Sequence, residues 1–472
     1  MTKTEDKVSV WLEQAPIKRE QLASDPHRPR YHFLPPNNWM NDPNGLIYWQ
    51  GQYHLFYQHN PNNPFWGDIH WGHAVSNDLV HWKDLPLALI PDRSPVDDGG
   101  CWSGCAIDHN GVPTFFYTGV KNGVQGTCIA TGGANLVRWQ KDAANPVVVS
   151  PQLPGYNQKD YRDPYVWCEG DTWYQVIGTE VHGRGEVLLY RSSNLRNWEY
   201  LHPLIPDEIR SQLGDGADIC ECPNFFKLGD KYVLIFSVWR NNVLHYPVAF
   251  VGEFKNLRFY PEHMQRLDWG QYCFYAPLTF QANNTRLMFG WLQEQRSKEE
   301  QIEAGWSGVM SLPRVLSVEE GKLKTDFAPE LQSLRKEKVE LVDLFDDSRA
   351  IEGLKSDRLE LRTTFTKNTA QRSGIVLHHG DEKIQMYIDW TEKEIVVDSG
   401  SNVYRGAFTN FTDRVDVHLF ADNSVLEILA NREVALTCRV YPKHVGGLVE
   451  LYSAGGESKV RFEAWNLASI WN

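Results

Sequence analysis

No run of about 18 apolar residues occurs in this chain of 472 residues, so no transmembrane helix is expected. The opening Met1-Thr2-Lys3-Thr4-Glu5-Asp6-Lys7 lacks the basic-then-apolar pattern of a secretory leader, and a cytoplasmic location is expected. Basic residues are in deficit: 47 Lys and Arg face 60 Asp and Glu, a net charge of −13. That balance argues against a nucleic-acid partner, which needs a basic face. The 8 cysteines are scattered, and the close pairs Cys101/Cys105 and Cys220/Cys222 lack the Cys-x-x-Cys spacing of a zinc or redox site. Free thiols are expected. His73 and His81 have no acidic or histidine partner at ligand spacing, so ordinary packing is expected and no metal. Asn283-Asn284-Thr285 and Asn410-Phe411-Thr412 match the glycosylation pattern, which is short enough to arise by chance. Helical periodicity is confined to an amphipathic stretch from about Glu5 to Ser24, expected to pack outside the main body.

What the chain has is a repeat. Asn41-Asp42-Pro43-Asn44-Gly45-Leu46-Ile47-Tyr48-Trp49 leads through Gln50-Gly51-Gln52 into a second apolar run, Tyr53 to Gln58. The pattern returns around His109-Asn110-Gly111, Glu169-Gly170-Asp171, Leu228-Gly229-Asp230 and Asn283-Asn284. Each copy reads as a β-hairpin, with β-branched and aromatic runs flanking a short turn. The copies begin roughly 55 to 61 residues apart, a supersecondary spacing. A second marker keeps the period: Asn77-Asp78-Leu79-Val80-His81-Trp82 is echoed at Asn135 to Trp139, at Asn194 to Trp198 and, more weakly, at Asn256 to Phe259. Units of about four strands repeated radially make a β-propeller, here five-bladed.

In a propeller the first strand of each blade lines the central channel, so equivalent positions converge. Aligning the hairpins puts Asp42, Ser103, Asp163 and Glu221 at nearly equivalent places, with Ala276 in the fifth copy. Carboxylates are rarely buried without a partner or a task. One Asp-Pro is an ordinary turn; three acids at one phase of a repeat point to a site.

The expected organisation is a helical extension over residues 1–30, a propeller over 31–330, a linker over 331–345 and a β-sandwich over 346–472. The sandwich rests on strict alternation in Leu359-Glu360-Leu361-Arg362-Thr363 and Val415-Asp416-Val417-His418-Leu419. The fold class is therefore all-β.

Trp39-Met40-Asn41-Asp42-Pro43-Asn44-Gly45, Tyr57-Gln58-His59-Asn60-Pro61, Trp102-Ser103-Gly104, Arg162-Asp163-Pro164 and Glu221-Cys222-Pro223 resemble the signature series of glycoside hydrolase family 32, the family of invertases, sucrose-6-phosphate hydrolases, inulinases and levanases. The resemblance covers nearly the whole chain and the motifs keep family order. It implies a propeller plus sandwich, no cofactor and a small saccharide substrate. It implies Asp42 as nucleophile, Glu221 as acid/base and Asp163 as a holder of sugar hydroxyls, in double displacement through a fructosyl-enzyme ester. Glu221 has to hold a proton near neutral pH, which like charge and partial burial favour. Asp42 has to stay ionised, with backbone N–H bonds from its Pro-Asn-Gly turn expected to keep it so. Asn41, Gln58, Ser103 and Arg162 are expected on the fructose hydroxyls, with Trp66, Trp102 and Trp291 about the pocket and Trp306 as a weaker candidate.

Two departures stand out. Trp102-Ser103-Gly104-Cys105 replaces Phe-Ser-Gly-Ser, which alters the pocket edge, and Asp422-Asn423-Ser424 replaces Asp-Arg-Ser, which bears on a surface or interdomain contact. Two rival functions remain: a fructosyltransferase, which uses the same residues but passes the fructosyl group to a sugar, and a catalytically silent sugar-binding propeller, against which the joint presence of Asp42, Asp163 and Glu221 argues.

Overall fold

The computed structural model describes residues 3–92, 96–214 and 216–471. Its first part is a ring of five small antiparallel sheets, each of four or five strands. Their first strands are Asn38–Trp49, Cys101–His109, Tyr156–Glu169, Ile219–Leu228 and Phe274–Ala282. These five touch in cyclic order, the last lying against the first. The circle is also closed by hydrogen bonds. Trp306–Ser307, from the fifth repeat, pairs in parallel with Asn38 and Trp39 and joins the first sheet.

Local sequence explains the repeat. His109 and Val112 pair across a two-residue turn, Asn110 at φ 54° and Gly111 at φ 81°, the doubly left-handed turn that matches strand twist. The Asn-Leu-x-x-Trp echo is a second turn. Leu79, Leu136, Leu195 and Leu257 all sit at φ between 56° and 65°. Side-chain oxygens stabilise that unusual backbone: Asn194 Oδ1 accepts the amides of Arg196 and Asn197. Trp198 then donates its indole N–H to the Leu195 carbonyl at 2.8 Å, as Trp139 does to Leu136.

The second part is two six-stranded sheets enclosing one apolar core that includes Leu361, Phe365, Ile375, Val417 and Phe462. The expected alternation is present: Val415, Val417 and Leu419 are buried while Asp416 is exposed. Glu360 breaks the pattern by being buried, and is gripped by both guanidinium arms of Arg335 and by His418.

The expected linker over 331–345 is corrected. A 3-10 turn, Pro329–Leu334, leads directly into strand Arg335–Phe345, which pairs antiparallel with Ser458–Leu467 at the sandwich edge. Alternating charges there suit an edge strand with its outer face in water. The N-terminal helix runs Lys3–Gln21, short of Ser24. Its expected apolar face is also corrected. Of the side chains described, from residue 11 on, Ala15 alone is buried, and Ile17 is exposed. The helix is anchored instead by Arg19, which donates to Asp84 Oδ2 at 2.8 Å and to the Leu34 carbonyl at 3.0 Å and lies 3.7 Å over the Trp471 ring.

The ring and the sandwich are joined by a buried polar clasp. Asp422 accepts the backbone amides of Arg30, Tyr31 and His32 at 2.7–2.9 Å, and the His32 ring bridges Asp422 (2.8 Å) and Glu427 (3.1 Å). Glu427 also holds Arg314, which reaches Asp268. Asn423 and Ser424, where the motif departs from the family pattern, donate to the carbonyls of Arg28 and His27 and belong to the same interdomain contact.

Candidate active site

Every first strand carries a β-bulge at the same point. The register slips between Met40 and Pro43, Trp102 and Gly104, Arg162 and Tyr165, Glu221 and Asn224, and Tyr275 and Leu278. Bulges re-aim side chains at the ends of strands. At three of the five bulges the residue in this phase is left-handed: Asp163 (φ 65°), Cys222 (φ 49°) and Ala276 (φ 45°).

The bend sorts the site into two rows and refines the alignment of the acids. Asp42, Ser103, Asp163, Cys222 and Ala276 share one phase, each directly before Pro or Gly. Asn41, Trp102, Arg162, Glu221 and Tyr275 stand one residue earlier. Glu221 therefore belongs with Arg162 and Tyr275 and not with the two aspartates. Both rows meet at one cavity of about 370 Å³. Asp42, Asp163, Glu221, Asn41, Gln58, Arg162, Trp66, Trp102 and Trp291 all line it, so nine of the ten expected residues come together.

Glu221 is held at both oxygens. Arg162 donates to Oε1 through Nε (3.1 Å) and Nη2 (2.8 Å), and the Tyr275 hydroxyl donates to Oε2 at 2.5 Å. Arg162 also reaches Asp160 at 2.9 Å and Gln125 at 3.2 Å. Burial opposes its charge, but Glu221 and Asp163 override this and hold it firmly cationic.

Asp42 is 9% exposed. Its Oδ2 accepts from Ser103 Oγ at 2.5 Å and Gln58 Nε2 at 3.1 Å, and its Oδ1 from Asn41 Nδ2 at 3.1 Å. Trp39 orients Asn41 in turn through its indole N–H at 2.8 Å. The expected backbone donors are corrected: among the described residues the hydrogen bonds to this carboxylate come from side chains. Asn41 donates from the same strand, Gln58 from the next strand of the sheet and Ser103 from the neighbouring sheet. Burial pushes Asp42 up to about 7; Ser103 and Asn41 pull it down, while Asp163 and Glu221 add to the rise. Burial likewise raises Asp163 to about 6 against the opposing pull of Arg162. Cys222 links the acids, donating its amide to Asp163 Oδ2 at 2.9 Å and its thiol to Asp42 Oδ2 at 3.5 Å.

Ser103 is the exception among the expected sugar ligands. It is 3% exposed, behind the carboxylate, and its hydroxyl is engaged by Asp42 and Gln58. Trp306 is also corrected: it is fully buried, donates to Asp25 at 2.6 Å and packs against the Arg296 guanidinium, away from the cavity. Two aromatic pairs wall the cavity instead, Trp39 with Trp291 (5.6 Å) and Trp66 with Trp102 (5.3 Å). The indole N–H groups of Trp102 and Trp291 and the Gln58 carbonyl oxygen are buried without a hydrogen-bond partner in the protein. His73 stacks 4.0 Å from Phe56 and shares a hydrogen bond with His54, and His81 bonds Asp78.

Trp39, Gln125, Asp160, Cys222, Leu244 and Tyr275 also line the cavity and were not anticipated. Tyr275 was findable. It stands in the repeat where Arg162 and Glu221 stand, directly before the residue that precedes proline. Gln125 and Leu244 lie outside the first strands and carry no repeat signal.

Residues 32–326 match the model of the glycosyl hydrolases family 32 N-terminal domain, and residues 330–466 match that of the family 32 C-terminal domain. The chain belongs to glycosyl hydrolase family 32. It is accordingly a glycoside hydrolase. A sucrose-6-phosphate hydrolase of Zymomonas mobilis is 35% identical, covering 95% of this chain and 94% of its own length. A raffinose invertase of Escherichia coli is 31% identical over 91% of this chain and 93% of its own. The structure of a family 32 β-fructofuranosidase of Bombyx mori, solved as a mutant in complex with sucrose, superposes with a TM-score of 0.83 at 28% identity, covering 99% of each chain. In this family 32 enzyme the cavity at the end of the five inner strands is the candidate active site.

Proposed function

We propose that this enzyme is a retaining β-fructofuranosidase that splits fructose from sucrose or sucrose 6-phosphate, working at the mouth of a five-bladed propeller. The observation that carries the reading is the meeting of Asp42 and Glu221 in one cavity, each fixed by donors from a neighbouring sheet. Support for the substrate comes from relatives that match end to end and are named for sucrose-6-phosphate hydrolase and invertase activity.

Asp42 Oδ1 is the freer oxygen, since Oδ2 is bonded by Ser103 and Gln58. It attacks the anomeric carbon while Glu221 gives its proton to the leaving glucosyl oxygen. Water, deprotonated by Glu221, then attacks the same carbon and frees fructose. Asp163 and Arg162 hold fructose hydroxyls, and the Asp163 bond strengthens as positive charge grows on the ring. Burial holds Asp42 near 7, so at neutral pH part of the population carries a proton there, and the attack on the anomeric carbon requires the ionised form.

Hydrolysis of sucrose in the presence of methanol tests this. Methyl fructofuranoside with the configuration of the original fructosyl bond is expected, and the inverted product would overturn double displacement. Asp42→Asn and Glu221→Gln are each expected to cut kcat by at least about 10²-fold with the fold intact, because covalent and proton-transfer steps contribute on that order.

A further inference from the structure

We propose that the cavity selects an uncharged glucosyl leaving group, and that Asp160 at its mouth is the residue that disfavours a 6-phosphate there. The inference rests on the β-fructofuranosidase reading and narrows it from two substrates to one, sucrose.

The charge of the cavity lining is lopsided. Its carboxylates are Asp42, Asp160, Asp163 and Glu221, and Arg162 is its one cation. Four of the guanidinium's five N–H groups are engaged, Nε and Nη2 with Glu221 and Nη1 with Asp160 and Gln125, so its charge is already set against two carboxylates. Among the described residues, no cation in the cavity lining stands without a carboxylate partner that a phosphate would have to displace. The other Lys and Arg residues within four positions of the lining residues, Lys121, Lys159 and Arg240, are absent from that lining. Phosphate recognition depends on Arg, Lys or clustered backbone N–H donors aimed at the oxygens.

Asp160 is the outermost acid, with 36% of its side chain exposed, while Asp42 and Asp163 lie deep. A furanose seated on the two deep aspartates would send its leaving group outward, toward the mouth where Asp160 stands. Glu180, bonded to Asn157 beside Asp160, adds a second negative charge behind it. The aromatic pair Trp66 and Trp102 offers an apolar face, which suits a neutral sugar ring. A phosphate dianion brought to this mouth meets the Asp160 carboxylate, and the one lining cation among the described residues, Arg162, is already paired with it. Like charges set against each other are a common way to reject a competitor.

The test is kcat/KM for sucrose, raffinose and sucrose 6-phosphate, for wild type and Asp160→Asn, at low and high salt. Asparagine keeps an oxygen for Arg162 and removes the charge. Wild type is expected to favour both neutral sugars over sucrose 6-phosphate by at least about tenfold, and the gap to narrow with salt as screening predicts. Asp160→Asn is expected to improve the ratio for sucrose 6-phosphate severalfold while the raffinose-to-sucrose ratio stays fixed. A wild-type preference for sucrose 6-phosphate, or a ratio unmoved by Asp160→Asn, overturns the proposal and leaves the β-fructofuranosidase reading standing. No fructose from any of the three overturns both.

Discussion

Ser103 donates its hydroxyl to Asp42 Oδ2 at 2.5 Å from the neighbouring sheet, and this bond opposes the burial that raises the carboxyl to about 7. Removing it in Ser103→Ala leaves burial and the like charges of Asp163 and Glu221 less opposed. Asp42 then ionises at higher pH. The acidic limb of the kcat/KM profile for sucrose is expected to move to higher pH, and the rate at pH 6 to fall more than that at pH 8. A profile that drops uniformly would assign Ser103 to sugar binding instead.

Tyr275→Phe isolates the other carboxyl. It removes the 2.5 Å donor to Glu221 Oε2 and keeps the ring that walls the cavity. Glu221 would then be steered by Arg162 alone. A fall in kcat of roughly tenfold with KM little changed is expected, since misplacing an acid by a fraction of an ångström slows proton transfer without loosening the sugar. Steady-state kinetics with the melting temperature as control decides it.

The clasp between ring and sandwich makes stability depend on pH. Burial disfavours charge on His32, but its hydrogen bonds to Asp422 and Glu427 prevail, and its folded value lies above the ordinary 6.5. The stabilisation is fully present below 6.5 and is lost as pH rises through the raised value. Melting temperature is expected to fall across that interval in wild type. His32→Gln is expected to be less stable at pH 6 and flatter with pH, because a buried ion pair stripped of one member costs about 3 kcal/mol or more. Parallel curves for the two proteins would exclude the linkage.

The two tryptophans with opposite fates separate binding from folding. Trp66 is 53% exposed at the cavity mouth, so Trp66→Ala is expected to raise KM for sucrose severalfold with little effect on melting. Trp306→Phe loses the bond to Asp25 and is expected to lower the melting temperature and leave KM alone.

The repeat exposed the ring and the acids because its signals are local: hairpin turns, an asparagine turn that bends a leucine, and prolines that mark the bulges. The sandwich strands that alternate were legible for the same reason. Arg335–Phe345 was not, since as an edge strand it mixes charges with apolar residues and resembles a linker. Phase put Ser103 beside Asp42 but did not announce its hydrogen bond to that carboxylate, because phase locates a side chain and not the direction of its hydrogen bond. Trp306 carried a tempting Gly-Trp-Ser-Gly setting, yet its indole is drawn to Asp25, a residue far away in sequence. Gln125 and Leu244 reach the cavity from outside the inner strands, which no periodicity announces.

The fivefold kink belongs to the backbone and not to the acids standing on it. Cys222 and Ala276 take the same bend as Asp163 without being carboxylates. The same step of the five strands thus carries Asp42, Ser103, Asp163, Cys222 and Ala276, of which two are aspartates. Chemistry can be rewritten on such a frame one codon at a time, with no need to fold the chain anew.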